Sequence, residues 1–239
     1  MSSVVTLPLL DIAAVTPRSR LVALDLERVE FSYLAGQAVV IGDHGQSMRR
    51  PYSIAASPER AMETKRLELL IGVDADGIAG PHLALRGRGD EIDVEGPIGT
   101  FTFPPDLEHR RLLFVAGGSG IAPLRAMLDH ALRTHPTERV SLLYSARRAD
   151  EFAFSDELRM YEEQGLLEFH PTVTREDGAW AGGRGRIGRT HFKAVLHDRA
   201  DTLCFICGPP PLVSEAVTTL SELGVPRAAI RTEEWAAPR

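Results

Sequence analysis

Hydrophobic positions change rhythm near the middle of the chain. In the first hundred residues they alternate. Val22, Leu24 and Leu26 interleave with Ala23, Asp25 and Glu27, and Leu67, Leu69, Ile71 and Val73 with Glu68, Leu70 and Gly72. Ile92 and Val94 repeat the pattern between Glu91, Asp93 and Glu95. A period of two buries one face of each strand, which predicts an antiparallel sheet closed into a small β-barrel. Gly42-Asp-His-Gly45, Asp74-Ala-Asp-Gly77 and Arg88-Gly-Asp90 supply the turns. A short helix is expected between Gly77 and Leu85, with little other helix in this half.

Beyond Pro104-Pro105 the alternation stops. Predominantly apolar runs without alternation occupy residues 112–116, 140–144, 166–169 and 203–207, as strands buried on both faces of a parallel sheet require. Helical faces lie between them. Leu124, Met127, Leu128, Ala131 and Leu132 share one, and Val213, Ala216, Val217 and Leu220 another, with Gly224 and Pro226 closing the second helix. Alternating strand and helix predicts a doubly wound α/β domain, which binds ligands at the carboxyl ends of its strands. The double proline sets the expected boundary: an antiparallel β-barrel over residues 1–105 and an α/β domain over residues 106–239.

Composition narrows the possible partners. The chain has 239 residues, 44% of them hydrophobic and 25% charged, with a net charge of −6. That balance suits a packed soluble protein and argues against a nucleic-acid partner. No apolar run approaches the roughly 18 residues of a membrane helix. The first residues lack the basic start of a signal peptide, so a cytoplasmic protein is expected. Two cysteines, Cys204 and Cys207, cannot build a four-cysteine iron–sulfur cluster. They read formally as C-x-x-C, but residues three apart in a strand face opposite ways, so no disulfide is expected. The eight histidines show no H-x-H or H-x-x-x-H spacing, and no metal site is predicted.

The chemistry begins where residues 112–116 run into Gly117-Gly-Ser-Gly-Ile-Ala-Pro123. Glycines at a strand-to-helix turn let backbone approach a pyrophosphate, and the helix start favours its charge. Read as G-x-G-x-x-G from Gly118, the third glycine falls at Pro123, which suits the first turn of a helix. This loop resembles the nicotinamide-dinucleotide loop of the ferredoxin–NADP reductase family, and further motifs follow in that family's order. Arg50-Pro-Tyr-Ser-Ile54 resembles its flavin-binding R-x-Y-S, and Gly96-Pro-Ile-Gly-Thr-Phe101 the loop closing its flavin domain. Cys207-Gly-Pro-Pro210 resembles its segment beside the nicotinamide, and Glu234-Trp235 its acid-plus-aromatic ending.

The resemblance implies a catalytic set of Ser53, Cys207, Glu234 and Trp235. Arg50 would hold the flavin's phosphate, Tyr52 would pack along the ring system, and Ser53 would place a hydroxyl near N5. Pro51, Ile71, Gly77, Gly80, Gly96, Gly99 and Thr100 complete the implied flavin site. The family's G-x-x-S/T turn ends here in Gly80, which leaves only backbone N–H groups in that turn. Gly118, Ser119, Gly120, Ile121 and Pro123 would take the dinucleotide's pyrophosphate, with Cys207, Gly208 and Pro209 beside the nicotinamide and Trp235 over the flavin.

Residues 140–144 lead to Ser145-Ala-Arg-Arg148, with no acid placed for a ribose 2′-hydroxyl. Thr172-Val-Thr-Arg-Glu176 resembles the stretch that grips a 2′-phosphate. Ser145, Arg147, Thr174, Arg175 and Arg186 therefore favour NADPH over NADH. The implied function is hydride transfer from NAD(P)H to bound FAD, rather than FMN. Electrons would then pass to a separate ferredoxin, cytochrome or oxygenase component, because no iron–sulfur cluster is held. Reduction of free flavin, or a non-catalytic electron-transfer or assembly subunit, are the alternatives.

Overall fold

A computed structural model describes residues 4–234, apart from residues 75, 85–86, 136–138 and 176–179. Six antiparallel strands form the first sheet: β1 (Val4–Thr16), β2 (Ser19–Asp25), β3 (Ala38–Asp43), β4 (Arg50–Ser53), β5 (Arg66–Gly72) and β6 (Glu91–Ile98). Their order is β4-β3-β6-β1-β2-β5, and a bridge between Ile54 and Leu69 brings the two edges together as a barrel. The alternating side chains fill its interior: Val22, Leu24, Leu67, Leu69, Ile71, Ile92 and Val94 are all buried there.

The helix expected between Gly77 and Leu85 is not found among the described residues of that stretch. Gly77 and Gly80 sit at φ of +82° and +120°, outside helical geometry, and Pro81 follows. The helix of this half is α1 (Pro58–Thr64), begun by a proline in its first turn and by Ser57, whose Oγ accepts from Arg60 N at 3.1 Å.

The second sheet is parallel throughout. It comprises β7 (Arg111–Gly117), β8 (Arg139–Ala146), β9 (Glu168–Val173), β10 (Gly183–Arg184), β11 (Thr202–Gly208) and β12 (Ile230–Glu234), in the order β10-β9-β8-β7-β11-β12. Helices α2 (Ile121–Thr134), α3 (Ser155–Glu163), α4 (Arg189–Val195) and α5 (Pro210–Glu222) connect the strands. β7 lies between β8 and β11, so the strand order reverses there and a crevice opens at its carboxyl end.

Two kinds of contact join barrel and α/β layer. Phe101 and Phe103, just past the barrel's last strand, pack on Phe205 of β11 with ring centroids 6.1 and 5.8 Å apart. Beside them runs a buried ionic network. Arg125 of α2, 4% exposed, donates to Glu68 at 2.7 Å and to the Ala55 carbonyl at 2.9 Å across the junction, and to Glu157 of α3 at 2.8 Å. Asp129, one turn on, accepts from Ser57 at 2.5 Å and from Arg60 at 2.8 Å. Burial opposes the Asp129 charge, but the Arg60 and Ser57 hydrogen bonds outweigh it and hold this carboxyl well below the usual range. Its depressed pKa adds stability above the ordinary carboxylate range, and that stability is lost as pH falls.

Replacing Arg125 by Met leaves Glu68 and Glu157 without their shared cation. Urea unfolding should show a loss of about 3–5 kcal/mol, the cost of breaking a buried ion pair from one side. A loss under about 1 kcal/mol would mean that the network does not hold the junction.

Candidate functional site

Strand ends from both sheets converge at the crevice. β4 carries Arg50, Pro51, Tyr52 and Ser53, of which Tyr52 and Ser53 are buried and Pro51 is exposed. β11 ends at Cys207 and Gly208, and β12 pairs with it in the register Cys207 to Glu233 and Gly208 to Glu234. Cys207 Sγ donates to Glu233 Oε2 at 3.8 Å, and the Ser53 hydroxyl stands close enough to the same carboxyl to lower its pKa. A hydroxyl from the barrel and a thiol from the α/β layer thus stand beside one acid.

That acid is Glu233, not Glu234. Successive side chains of a strand point to opposite faces, and in this register Glu233 turns to Cys207 while Glu234 is exposed at the strand's end. Trp235 lies outside the described residues. Burial pushes the Glu233 carboxyl above its ordinary value, with the Cys207 hydrogen bond and the nearby Ser53 hydroxyl pulling it partly back. Burial, and then the neighbouring Glu233, push the Cys207 thiol far up, so it stays protonated. Cys204 is also buried and free, its thiol pushed up to about 12 by burial alone.

The glycine loop closes over this point. A Cβ on Gly120 would collide with the Cys207 carbonyl, whereas Gly118, at φ +55°, has open space around it. Ile121 and Pro123 are buried at the start of α2, while Gly117, Gly118 and Ser119 border a cleft of about 750 Å³. Ser145, Arg147, Thr174, Arg175 and Arg186 line the same cleft, as does Pro209. Gly208 backs it, packed against Gly117. Three features of the cleft had no local sequence signal. Arg18 and Ser19 reach in from the barrel's β1–β2 hairpin, Tyr144 ties Gly118 O to Ala153 N through its hydroxyl, and Glu151 and Glu215 add acids. Arg148 stays outside, 3.5 Å from Asp150.

On the barrel, Ile71 points into the core, and its neighbours Leu70 and Gly72 border the cleft instead, as alternation demands. Gly96 and Gly99 adopt φ of +145° and +97°, and Thr100 is exposed beside them. Tyr52 Oη lies 2.8 Å from His82 Nε2, and their rings stack. His82 is fully buried, and its Nδ1 has no hydrogen-bond partner among the described residues. A planar cation (Arg50), a buried tyrosine, a glycine turn and an orphaned polar atom suit an anionic aromatic cofactor, so the barrel end fits a flavin nucleotide.

Comparison with known proteins points the same way. Residues 6–103 match a family model described as an oxidoreductase FAD-binding domain, and residues 114–218 one described as an oxidoreductase NAD-binding domain. Ferredoxin–NADP reductase B of Sorangium cellulosum is 31% identical over 239 aligned residues, covering 94% of this chain and 96% of that protein. The chain belongs to the ferredoxin–NADP reductase family. The reductase component DmpP of a Pseudomonas phenol 2-monooxygenase is 30% identical over 202 residues, covering 80% of this chain and 54% of that protein, so the reductase spans about half that relative's length. The crystal structure of the Amycolatopsis cytochrome P450 reductase GcoB superposes with a TM-score of 0.82 at 27% identity, over 98% of this chain and 71% of that one. Among the described residues of the reductase, no helix is long and apolar enough to cross a membrane.

The two loop glycines should respond differently to alanine. Gly118→Ala meets only backbone strain, about 1 kcal/mol. Gly120→Ala must displace β11 backbone and should cost at least about 2 kcal/mol. Equal shifts in thermal melting would contradict the close approach of loop and strand.

Proposed function

We propose that the protein oxidises NADPH and passes the electrons to a separate redox protein, such as a ferredoxin, a cytochrome or an oxygenase component, through FAD held by the barrel. The meeting of Ser53, Cys207 and Glu233 beside the glycine loop carries this reading, because it joins the implied flavin strand to the implied nicotinamide strand. In it, residues 1–105 form the flavin domain and residues 106–239 the dinucleotide domain. When bound, FAD supplies an acceptor for a hydride and can release electrons singly to an outside carrier.

The chain's own residues position and shield. Arg50 and the turn containing Gly77 and Gly80 take the flavin's phosphate end; Tyr52 and Ser53 face its ring system, with the Gly96–Gly99 loop closing the site. Gly118, Ser119 and the start of α2 take the NADPH pyrophosphate. Arg147, Arg175 and Arg186, with Ser145 and Thr174, surround the 2′-phosphate, and the residues directly after β8, Arg147 and Arg148, are cations, the cleft's acid Glu151 coming only further on. Cys207 presents a neutral, polarisable thiol to the nicotinamide. Glu233 accepts from that thiol and faces the Ser53 hydroxyl, so it acts as a positioning residue. The rate contribution of such a site is orientation.

Arg175→Ala should raise the NADPH KM about tenfold or more and leave that for NADH nearly unchanged, the effect of one lost charged phosphate contact. Equal losses for both dinucleotides would contradict the NADPH assignment. Glu233→Gln should slow hydride transfer about tenfold at unchanged NADPH KM. Its pH profile is the sharper readout. Above its raised pKa the Glu233 carboxylate accepts from Cys207 and faces the Ser53 hydroxyl, and its protonation as pH falls weakens it as the acceptor between them. The wild-type rate should therefore decline on the acid side and the variant's should not; superimposable profiles would remove Glu233 from the site.

A further inference from the structure

His82 has no part in the motifs of the chain, yet it is fully buried where the barrel would take the flavin. Its Nε2 is engaged by Tyr52 at 2.8 Å, and its Nδ1 is one of few buried side-chain atoms with no partner among the described residues. A polar atom removed from water and left unpaired is costly, so its position calls for a ligand. The surroundings say which kind. Around the point where a Cβ on Gly80 would stand, His82 Nδ1 lies at 3.2 Å and Arg50 Nη1 at 3.7 Å. Gly80 itself has no side chain, and at φ +120° its backbone accommodates no other residue without strain, so the turn cannot supply a hydroxyl there. Asp43, the acid that acts on His82, already accepts from the Ala84 N–H at 3.0 Å.

We infer that His82 is a ligand of the flavin's phosphate group, donating from Nδ1 beside Arg50 in place of a side-chain donor at position 80. Tyr52 Oη then donates to Nε2, which leaves the single proton of the neutral imidazole on Nδ1. Burial and the Arg50 charge both lower the pKa of His82 and keep the ring neutral, so the bond is a fixed N–H donor and not a second cation. This assignment rests on the flavin reading of the barrel and adds a residue to it.

The test is titration of flavin-free protein with FAD, followed by flavin fluorescence, with apoprotein melting as the check on folding. His82→Phe keeps a ring against Tyr52 and removes both nitrogens; it should weaken FAD about tenfold or more. His82→Asn places an amide near the Nδ1 position and should stay within about threefold of wild type. Riboflavin, which has no phosphate, should bind the wild type and His82→Phe alike. FAD affinity unchanged in His82→Phe overturns the assignment, as do equal losses in both variants, or a riboflavin loss matching that of FAD. Wild-type protein that takes up no flavin overturns the flavin reading along with it, which separates the two failures.

Discussion

Arg125 and Asp129 stand one turn apart on the same face of α2, both nearly excluded from water, and both are satisfied mainly by groups across the junction. A buried guanidinium and a buried carboxylate tolerate only arrangements in which their partners are in place. Barrel and α/β layer are therefore held in one relative position, not merely pressed together by the aromatic contact of Phe101 and Phe103 with Phe205. The same helix begins directly at the glycine loop. Fixing α2 on the barrel thus fixes the loop that faces the ends of β4 and β11, and the meeting of Ser53 with Glu233 depends on it.

The site built on that frame holds few charged groups at its centre. Cys207 is a protonated thiol bonded to Glu233, a carboxyl with a raised pKa, and Ser53 is a hydroxyl beside that carboxyl. Such a constellation is poor at nucleophilic attack and well suited to holding two planar molecules in register. The charge lies at the periphery, in Arg50 on the barrel side and in Arg18, Arg147, Arg175 and Arg186 around the cleft, where phosphates are expected. A centre of bonding groups that position and a rim rich in arginine suit a hydride transfer between two phosphate-bearing cofactors.

Much of the architecture was legible in the sequence because burial imposes a period. Alternation at Val22 and Leu24 or Leu67 and Leu69 marked barrel strands, and unbroken runs at 112–116 and 203–207 marked the parallel sheet. What escaped depends on parity or on distance in sequence. Glu233 and Glu234 are equivalent by type, and only the register of β12 on β11 chooses between them. Ile71 shows the same parity effect, its neighbours bordering the cleft in its place. The glycines at 77 and 80 broke a helix that the pattern around them suggested, while a proline and a serine cap started α1 elsewhere. His82 carried no sequence signal, since burial beside Tyr52 is decided by a contact 30 residues away. The Arg125 network joins residues 32 to 70 positions apart and left no local pattern at all.

The central claim is that these two layers bring a flavin and a nicotinamide together in one cleft. Anaerobic titration of the FAD-loaded protein with NADPH, followed in the visible flavin band, tests it directly. The account predicts that the band bleaches as NADPH is added, with one equivalent sufficing for each flavin. A flavin that stays oxidised under excess NADPH and NADH alike would contradict it.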